Sequence, residues 1–417
     1  MNGYQLNDSI DQHGQPQLNS TEVHSGQRQL WFASLLLISV TLGATPRSMA
    51  NAPDTAQTQP ESSDSTNESD PEVKATEGKW GRFLPLPIFI TEPAIGEGLG
   101  ASLIYFHHDD AADKPRLSTG REISKTGERS KPPPVATGIF GFYTNNDTAA
   151  VGIGHSNTFA DDRYRLRAGV VDARINSDFY IGDRPVGFQL DGNLLFADLK
   201  SRLGDSGAFF GISMSYVNAA NTFREAEDEI DGISLLDFDF VDAGLAASLI
   251  YDTRDNTVMP VAGYLLELTG WRYGETLSGD FDYDTTRLRG LWFKELGQDY
   301  VVGVRIDATR ASGDVPFYAA PFVRLRGIPA LRYQGEMASA FELEGRRHFG
   351  DRWSGSLFAG VGSVSVGEEQ TETRDDIRTI GIGTRFLALR KQDAWIGIDV
   401  ARGPEEIALY IQFGSAW

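Results

Sequence analysis

Phe341-Glu342-Leu343-Glu344-Gly345-Arg346 sets an apolar residue or a glycine against a charge at every step. Successive side chains of a strand point to opposite faces, so Phe341 and Leu343 share one face while Glu342, Glu344 and Arg346 share the other. The same two-residue period runs through Val302-Gly303-Val304-Arg305-Ile306-Asp307, Ile380-Gly381-Ile382-Gly383-Thr384-Arg385-Phe386, Ile396-Gly397-Ile398-Asp399-Val400 and Ile407-Ala408-Leu409-Tyr410-Ile411-Gln412-Phe413. One face is consistently aliphatic or aromatic, and the other carries Gly, Arg, Asp, Glu, Gln and Tyr. Lipid outside and a polar lumen inside require that arrangement. A soluble sandwich also buries an alternating apolar face, so the alternation by itself leaves both architectures open. Closure favours the barrel: in lipid every backbone N–H and C=O must be paired within the protein, and a closed sheet has no edge.

Working outward, the chain from Arg82 to Trp417 divides into sixteen such segments of roughly ten residues, separated by Gly, Asp, Asn and Pro turns, and no sustained helical period interrupts them. The expected fold is all-β: an antiparallel transmembrane barrel of about sixteen strands over 82–417, closed by its last eleven residues. Its lumen should be charged, with Arg165, Arg167, Arg287, Arg289, Arg305 and Arg385 facing Glu267, Asp307, Glu342, Glu344 and Asp399. Ahead of it, Leu30–Gly43 is apolar but too short to cross a bilayer as a helix. With Arg28 before it and Ser48-Met49-Ala50 after it, residues 1–50 read as a secretory signal with a long polar leader. Residues 51–81, rich in Ser, Thr, Pro, Asp and Glu, bury too little apolar surface to order and read as a periplasmic tether. With both barrel ends on one side, the Asp109–Pro134 connection falls on that same side, where turns are normally short.

The chain's net charge of −20 repels phosphate backbones and removes nucleic acid as a partner. Without cysteine there is no disulfide, thiolate metal site or lipid-modified Cys. His107-His108-Asp109-Asp110 has ligand-like residue types, but neighbouring strand side chains diverge, which makes it a polar strand end rather than a metal site. Gly96-Glu97-Gly98-Leu99-Gly100 lacks both the spacing and the following helix of a phosphate loop. No cofactor site and no catalytic constellation are legible, which argues against an enzyme.

Two more segments complete the reading. Tyr251-Asp252-Thr253-Arg254-Asp255-Asn256, followed by Pro260 and Gly263, is by its chemistry an Asx-rich turn between strands. Val323-Arg324-Leu325-Arg326-Gly327-Ile328 lies in a connection of about 25 residues bearing Pro and Gly, and Tyr333-Gln334-Gly335 follows it. After these come the acidic strand with Glu342 and Glu344, then Gly381-Ile382-Gly383-Thr384-Arg385, Asp399-Val400-Ala401-Arg402-Gly403, and a last strand with Phe413 that ends on Trp417.

In this order and spacing the segments resemble the BamA/TamA-type assembly barrels, the bacterial surface antigen family. The specific motifs cover about Val241 to Trp417. Towards the amino terminus the resemblance rests on strand pattern and on Pro85-Leu86-Pro87-Ile88-Phe89-Ile90, Pro93 and Gly96-Glu97-Gly98-Leu99-Gly100. It implies a Gram-negative outer membrane, and outer-membrane lipid and other outer-membrane or periplasmic proteins as partners. It also implies a part in protein insertion or translocation, and a sixth extracellular loop folded into the lumen and pinned by an Arg-Gly-aromatic tip. Arg326-Gly327 fits that tip, with Ile328 where the family has an aromatic residue. The family's pinning acid lies in a Phe-x-Asp-x-Gly stretch, which here reads Phe358-Ala359-Gly360-Val361-Gly362, so the expected partner of Arg326 is Glu342 or Glu344 on the following strand. No POTRA module precedes Arg82, which keeps a passive pore or a structural barrel as the alternative function.

Overall fold

The computed structural model describes residues 83–107, 135–224, 229–230, 233–366, 372–389 and 394–417. The signal and tether readings, and His108, Asp109 and Asp110, lie outside them. Eighteen strands follow one another: β1 Phe83–Glu92, β2 Gly96–Phe106, β3 Ala136–Thr144, β4 Ala149–Phe159, β5 Tyr164–Ile181, β6 Arg184–Arg202, β7 Ala208–Phe223, the two-residue β8 Glu229–Ile230 and β9 Ile233–Ser234, β10 Phe238–Asp252, β11 Gly263–Tyr273, β12 Tyr283–Leu296, β13 Tyr300–Gly313, β14 Met337–Phe349, β15 Trp353–Val366, β16 Glu372–Leu389, β17 Ala394–Arg402 and β18 Ile407–Phe413. Apart from the β8–β9 hairpin they form one antiparallel sheet of sixteen strands, each paired with its neighbour in the chain. This is the expected all-β barrel.

Alternation fixes which face each side chain takes. On β14, Glu342, Glu344 and Arg346 are buried inside, while Phe341, Leu343 and Phe349 are exposed outside. On β16 and β17, Ile380, Ile382, Ile396, Ile398 and Val400 point outward, whereas Arg385 and Asp399 point inward. Outward aromatic pairs line the end where the barrel starts and finishes: Phe83 with Tyr105, Phe159 with Tyr164, Tyr251 with Tyr264, and Trp353 with Phe386. Aromatic girdles of this kind settle at the interface of a bilayer. Strand parity places the connection between β2 and β3 at this same end.

Two features depart from the sequence reading. The last strand stops at Phe413 instead of continuing to Trp417. Gly414 adopts a left-handed φ of 77° that turns the chain inward, its carbonyl accepts a bond from Arg385 Nε at 2.9 Å, and Ser415 N–H donates to the Val258 carbonyl at 2.7 Å. In addition, no backbone ladder joins β1 to β18 among the described residues, so the closure expected of residues 407–417 is incomplete. The two strands lie side by side, linked by Ile411 N–H donating to Thr91 Oγ1 at 3.3 Å.

Candidate functional site: the pinned lumenal loop

Between β13 and β14 the chain does not stay over the rim. Its first half carries Phe317, whose ring centroid lies 4.5 Å from Phe179 and 5.0 Å from Phe188, and Tyr318, 5.3 Å from Phe240. Those partners stand on β5, β6 and β10, across the barrel, so the loop crosses the lumen to reach them. With Tyr273, Tyr283 and Leu331 they form a buried aromatic plug at the loop end of the barrel. The charged strand faces gave no sign of this plug. Its members sit near the strand ends, beyond the charged central rows.

The second half of the loop descends to Arg326, which is 7% exposed. Its Nε donates to Glu342 Oε1 at 3.0 Å and its Nη1 to Asp399 Oδ2 at 2.9 Å, while Nη2 lies 2.9 Å from Glu344 Oε2. Arg326 Cζ lies over the Phe358 ring, 3.4 Å from its centroid. Buried charges are tolerated only when paired and hydrogen-bonded; Arg326 meets that condition through Glu342 and Asp399, whereas Glu342 Oε2, Glu344 Oε2 and Arg346 Nε are buried without a hydrogen bond and rely on charge pairing alone. Arg326, Arg346 and Arg385 face Glu342, Glu344 and Asp399, three against three, with Arg385 also paired to Asp399. Burial lowers the pKa of Arg326, but the three carboxylates raise it by more, and the net result lies above its ordinary value. Trp417 closes the cluster from below: its indole N–H donates to Glu342 Oε1, and its ring packs on Phe293.

Glycine geometry seats the tip. Gly327 has φ of 93°, and its N–H donates to the Tyr410 hydroxyl of β18 at 2.9 Å. A Cβ on Gly403 would stand 2.0 Å from the Gly327 carbonyl oxygen, so the two backbones meet only because both residues lack a side chain. Ile328 packs in an apolar cluster with Val323, Leu325, Tyr333 and Ile377. Further on, Ala330 N–H donates to Glu92 Oε1 of β1 at 3.1 Å, and Arg332 Nε to Glu405 Oε2 at 2.8 Å. Tyr333 O–H donates to Glu405 Oε1 at 2.9 Å; burial first, then this bond, push Tyr333 up to about 12.

The turn between β10 and β11 sits at the other mouth of the lumen. Asp255 Oδ1 accepts from Val261 and Ala262 N–H at 3.0 Å each, and Asn256 Oδ1 from Val258 N–H at 2.7 Å. Burial raises the Asp255 carboxyl above its ordinary value. Arg254 Nη2 bonds Asp252 Oδ2 at 2.9 Å, and Gly263 opens β11. The Pro260 carbonyl accepts a bond from Arg346, which ties this turn to the acidic strand. The structure therefore brings Arg326, Gly327, Glu342, Glu344 and Trp417 together and links the turn to them through Arg346. Phe413 ends β18, and its side chain lies outside the described residues. Sequence reasoning missed Asp399 as a partner of Arg326 and missed Phe358, Tyr410 and Gly403. Of the expected lumenal arginines, Arg287 and Arg305 reach Asp307 and Arg385 reaches Asp399, but Arg165 and Arg167 pair instead with Asp162 and Asp198.

No protein-family model matches the chain, and no curated protein matches it by sequence. Solved structures do match. BamA from Haemophilus ducreyi lacking POTRA domains 1–3 aligns over 80% of this chain and 69% of its own, at 12% identity and a TM-score of 0.52. CdiB from Escherichia coli aligns over 79% of this chain and 61% of its own, at 9% identity and a TM-score of 0.54. CdiB from Acinetobacter baumannii gives 79% and 59%, at 8% and 0.52. This chain thus spans less than two thirds of the CdiB chains. At such identities the likeness is one of fold: the chain has the sixteen-stranded barrel fold seen in BamA and CdiB.

Proposed function

We propose that this protein is a Gram-negative outer-membrane barrel that aids the insertion or translocation of other proteins, working among outer-membrane lipid and outer-membrane or periplasmic partners. In this reading residues 1–50 direct export, 51–81 tether the barrel on the periplasmic side, and Arg326-Gly327 pins the loop through Glu342 and Glu344. The observation that carries it is the seam: sixteen strands with no ladder between the first and the last among the described residues leave the outer edges of β1 and β18 without strand partners beside lipid. An edge of that kind is a template on which another strand can pair. The aromatic plug and the pin fill the lumen, which weighs against a wide, permanently open pore.

The test uses the absence of native cysteine. Thr91→Cys with Ile411→Cys, oxidised, locks the seam. Vesicles carrying the parent should accelerate the folding of an added, urea-unfolded outer-membrane barrel, and vesicles carrying the locked form should not. Equal rates in parent, locked and empty vesicles, together with a large, steady, ohmic conductance, would instead establish a passive pore.

A further inference from the structure

On its outer wall, towards the loop end, the barrel carries a groove. Leu288, Ala308, Ser339 and Ser363 stand side by side on β12, β13, β14 and β15, paired across three successive ladders. By alternation they share the outward face with Ile306, Phe341 and Val361, which pair with one another one step nearer the girdle and are exposed. Three of the first four side chains are small and the second three are large, so the wall steps inward between them. Ser363 also sits at a bulge, where the register with β16 shifts between Gly362 and Val364. The result is a depression of about 350 Å³ lined mainly by apolar groups, among them Leu288, Ile306, Phe341 and Val361.

Two arginines border it. Arg310 is the next outward residue of β13 beyond Ala308, and Arg378 of β16 stands directly across from Val361. Both are exposed, and among the described residues neither makes a hydrogen bond or an ion pair. The acids at that level do not engage them: Asp284 is held by Arg272 Nη1 at 2.9 Å, Asp376 by Arg374 Nε at 3.0 Å, and Glu336 bonds neither arginine. Height decides what the two guanidiniums meet. Arg310 lies ten residues along β13 from the exposed Tyr300 at its girdle end, and Arg378 lies eight residues along β16 from Phe386. At about 3.3 Å per residue and a strand tilt of about 40°, those spans rise roughly 25 and 20 Å, which carries both to the far edge of an apolar band about 25 Å tall. Both arginines therefore reach the headgroups of the leaflet on the loop side, with the groove beneath them among the acyl chains.

We infer that this groove is a docking site for a phosphorylated, acylated glycolipid of the outer leaflet, the lipid A class: one acyl chain lies in the recess along Ile306, Phe341 and Val361 while Arg310 and Arg378 hold phosphate. Guanidiniums grip phosphate oxygens in paired hydrogen bonds. The strands of the two arginines are three spacings apart, about 14 Å, which suits a headgroup with two separated phosphates and leaves a glycerophospholipid, with its single phosphodiester, one arginine short. The apolar walls and the lipid-facing position weigh against free phosphate as the occupant. The inference rests on the outer-membrane reading with the loop end outward, and not on the insertion activity.

The probe is purified bisphosphorylated lipid A added to the folded protein in detergent, with bound lipid counted by native mass spectrometry; phosphatidylglycerol and dephosphorylated lipid A are the comparisons. The parent should half-saturate with lipid A at a concentration at least tenfold below either. Arg310→Gln with Arg378→Gln should raise that concentration at least tenfold, as should Ser339→Phe, which fills the recess and keeps every charge. Arg347→Gln, at the girdle end of β14, should leave it unchanged. Should Ser339→Phe fail to fold, the arginine pair decides, since both side chains are exposed. Binding of phosphatidylglycerol as tight as that of lipid A, or an unchanged half-saturation in the double arginine variant, overturns the site. Neither result touches the folding-acceleration assay, and a failure of that assay with lipid A binding intact counts against insertion alone.

Discussion

Arg326→Ala removes one guanidinium from contact with three carboxylates. Asp399 keeps Arg385, and Glu344 keeps Arg346 nearby, but Glu342 loses its charged partner and retains only the Trp417 indole N–H while fully buried. Breaking a buried pair from one side costs about 3–5 kcal/mol, because the remaining charge is left uncompensated. At roughly 1.4 kcal/mol per tenfold, the tip of the loop should open between about two and nearly four powers of ten more often. The aromatic plug around Phe317 should hold the first half of the loop in place, so the effect is local to residues 323–333. The assay is external trypsin on the folded barrel in vesicles, reading cleavage after Arg324 and Arg332, beside the heat resistance of the folded band in gels. Glu342→Gln with Glu344→Gln should loosen the same tip, and Arg326→Lys should recover only part, since an ammonium cannot serve three acids in a fixed fork. Combining the arginine and glutamate changes should add little to either alone. Trypsin resistance equal to the parent's in Arg326→Ala, or simple additivity in the combination, would refute the pin.

Three further outcomes follow from the geometry. Ile398→Arg or Leu409→Arg, each on the outer face, should cost about 2–4 kcal/mol if it lies near the bilayer midplane, measured as folding free energy in vesicles. Inward Gln412→Glu, beside the Arg385 guanidinium, should cost far less, and equal penalties would contradict the assigned faces. Gly403→Ala drives a Cβ into the Gly327 carbonyl and should loosen the tip as Arg326→Ala does while leaving every charge in place; an unchanged trypsin pattern would show the close approach to be dispensable. The bonds from Arg332 and Tyr333 hold the Glu405 carboxyl below its ordinary 4.5. A lowered folded value means that its contribution is complete above 4.5 and is lost only as pH falls through that lower value. Hydrogen exchange at residues 328–334 should therefore stay slow down to pH 4.5 and accelerate below it, and in Glu405→Gln it should be fast throughout.

The barrel was legible because its code is the simplest a strand can carry. Phe341 and Leu343 against Glu342 and Glu344 assign outside and inside in four residues, and the same rule repeated sixteen times leaves little freedom in register. The site was legible only in part. Glu342 and Glu344 could be placed near Arg326 by strand order. Asp399, 73 residues away, enters through the ladder, where it pairs with Gly383 and leans over that glycine towards Arg385. The small residues inside β16 and β17, Gly381, Gly383, Gly397 and Ala401, were the signal that room had been left for large charged groups. Phe358 shows a different limit. Reading its stretch for a missing acid drew attention away from the ring, which supplies the face on which the guanidinium lies. The inward turn at Gly414 depends on a bond to Val258 from a turn far away in the chain, and no local pattern announces it.

The pin and the seam occupy the same part of the barrel, and that bears on how either works. A ladder between β1 and β18 would hold the seam through many backbone bonds. With no ladder between the two strands among the described residues and Ile411 N–H donating to Thr91 Oγ1, the loop adds further bonds between the two sides. Gly327 bonds Tyr410 on β18, Arg326 bonds Asp399 on β17, and Ala330 bonds Glu92 on β1. Within five residues of loop, one segment therefore reaches both sides of the seam. If the seam widens while the loop stays pinned to β17 and β18, the bond to Glu92 must break; if the loop withdraws, all three bonds are lost together. Under the proposed insertion role, a strand adding to the edge of β1 would compete with the loop's hold on Glu92, while the charged cluster would keep the tip on the β18 side. The loop would then serve as a clasp across the seam, with several charged bonds at Asp399 and Glu342 and a single backbone bond at Glu92.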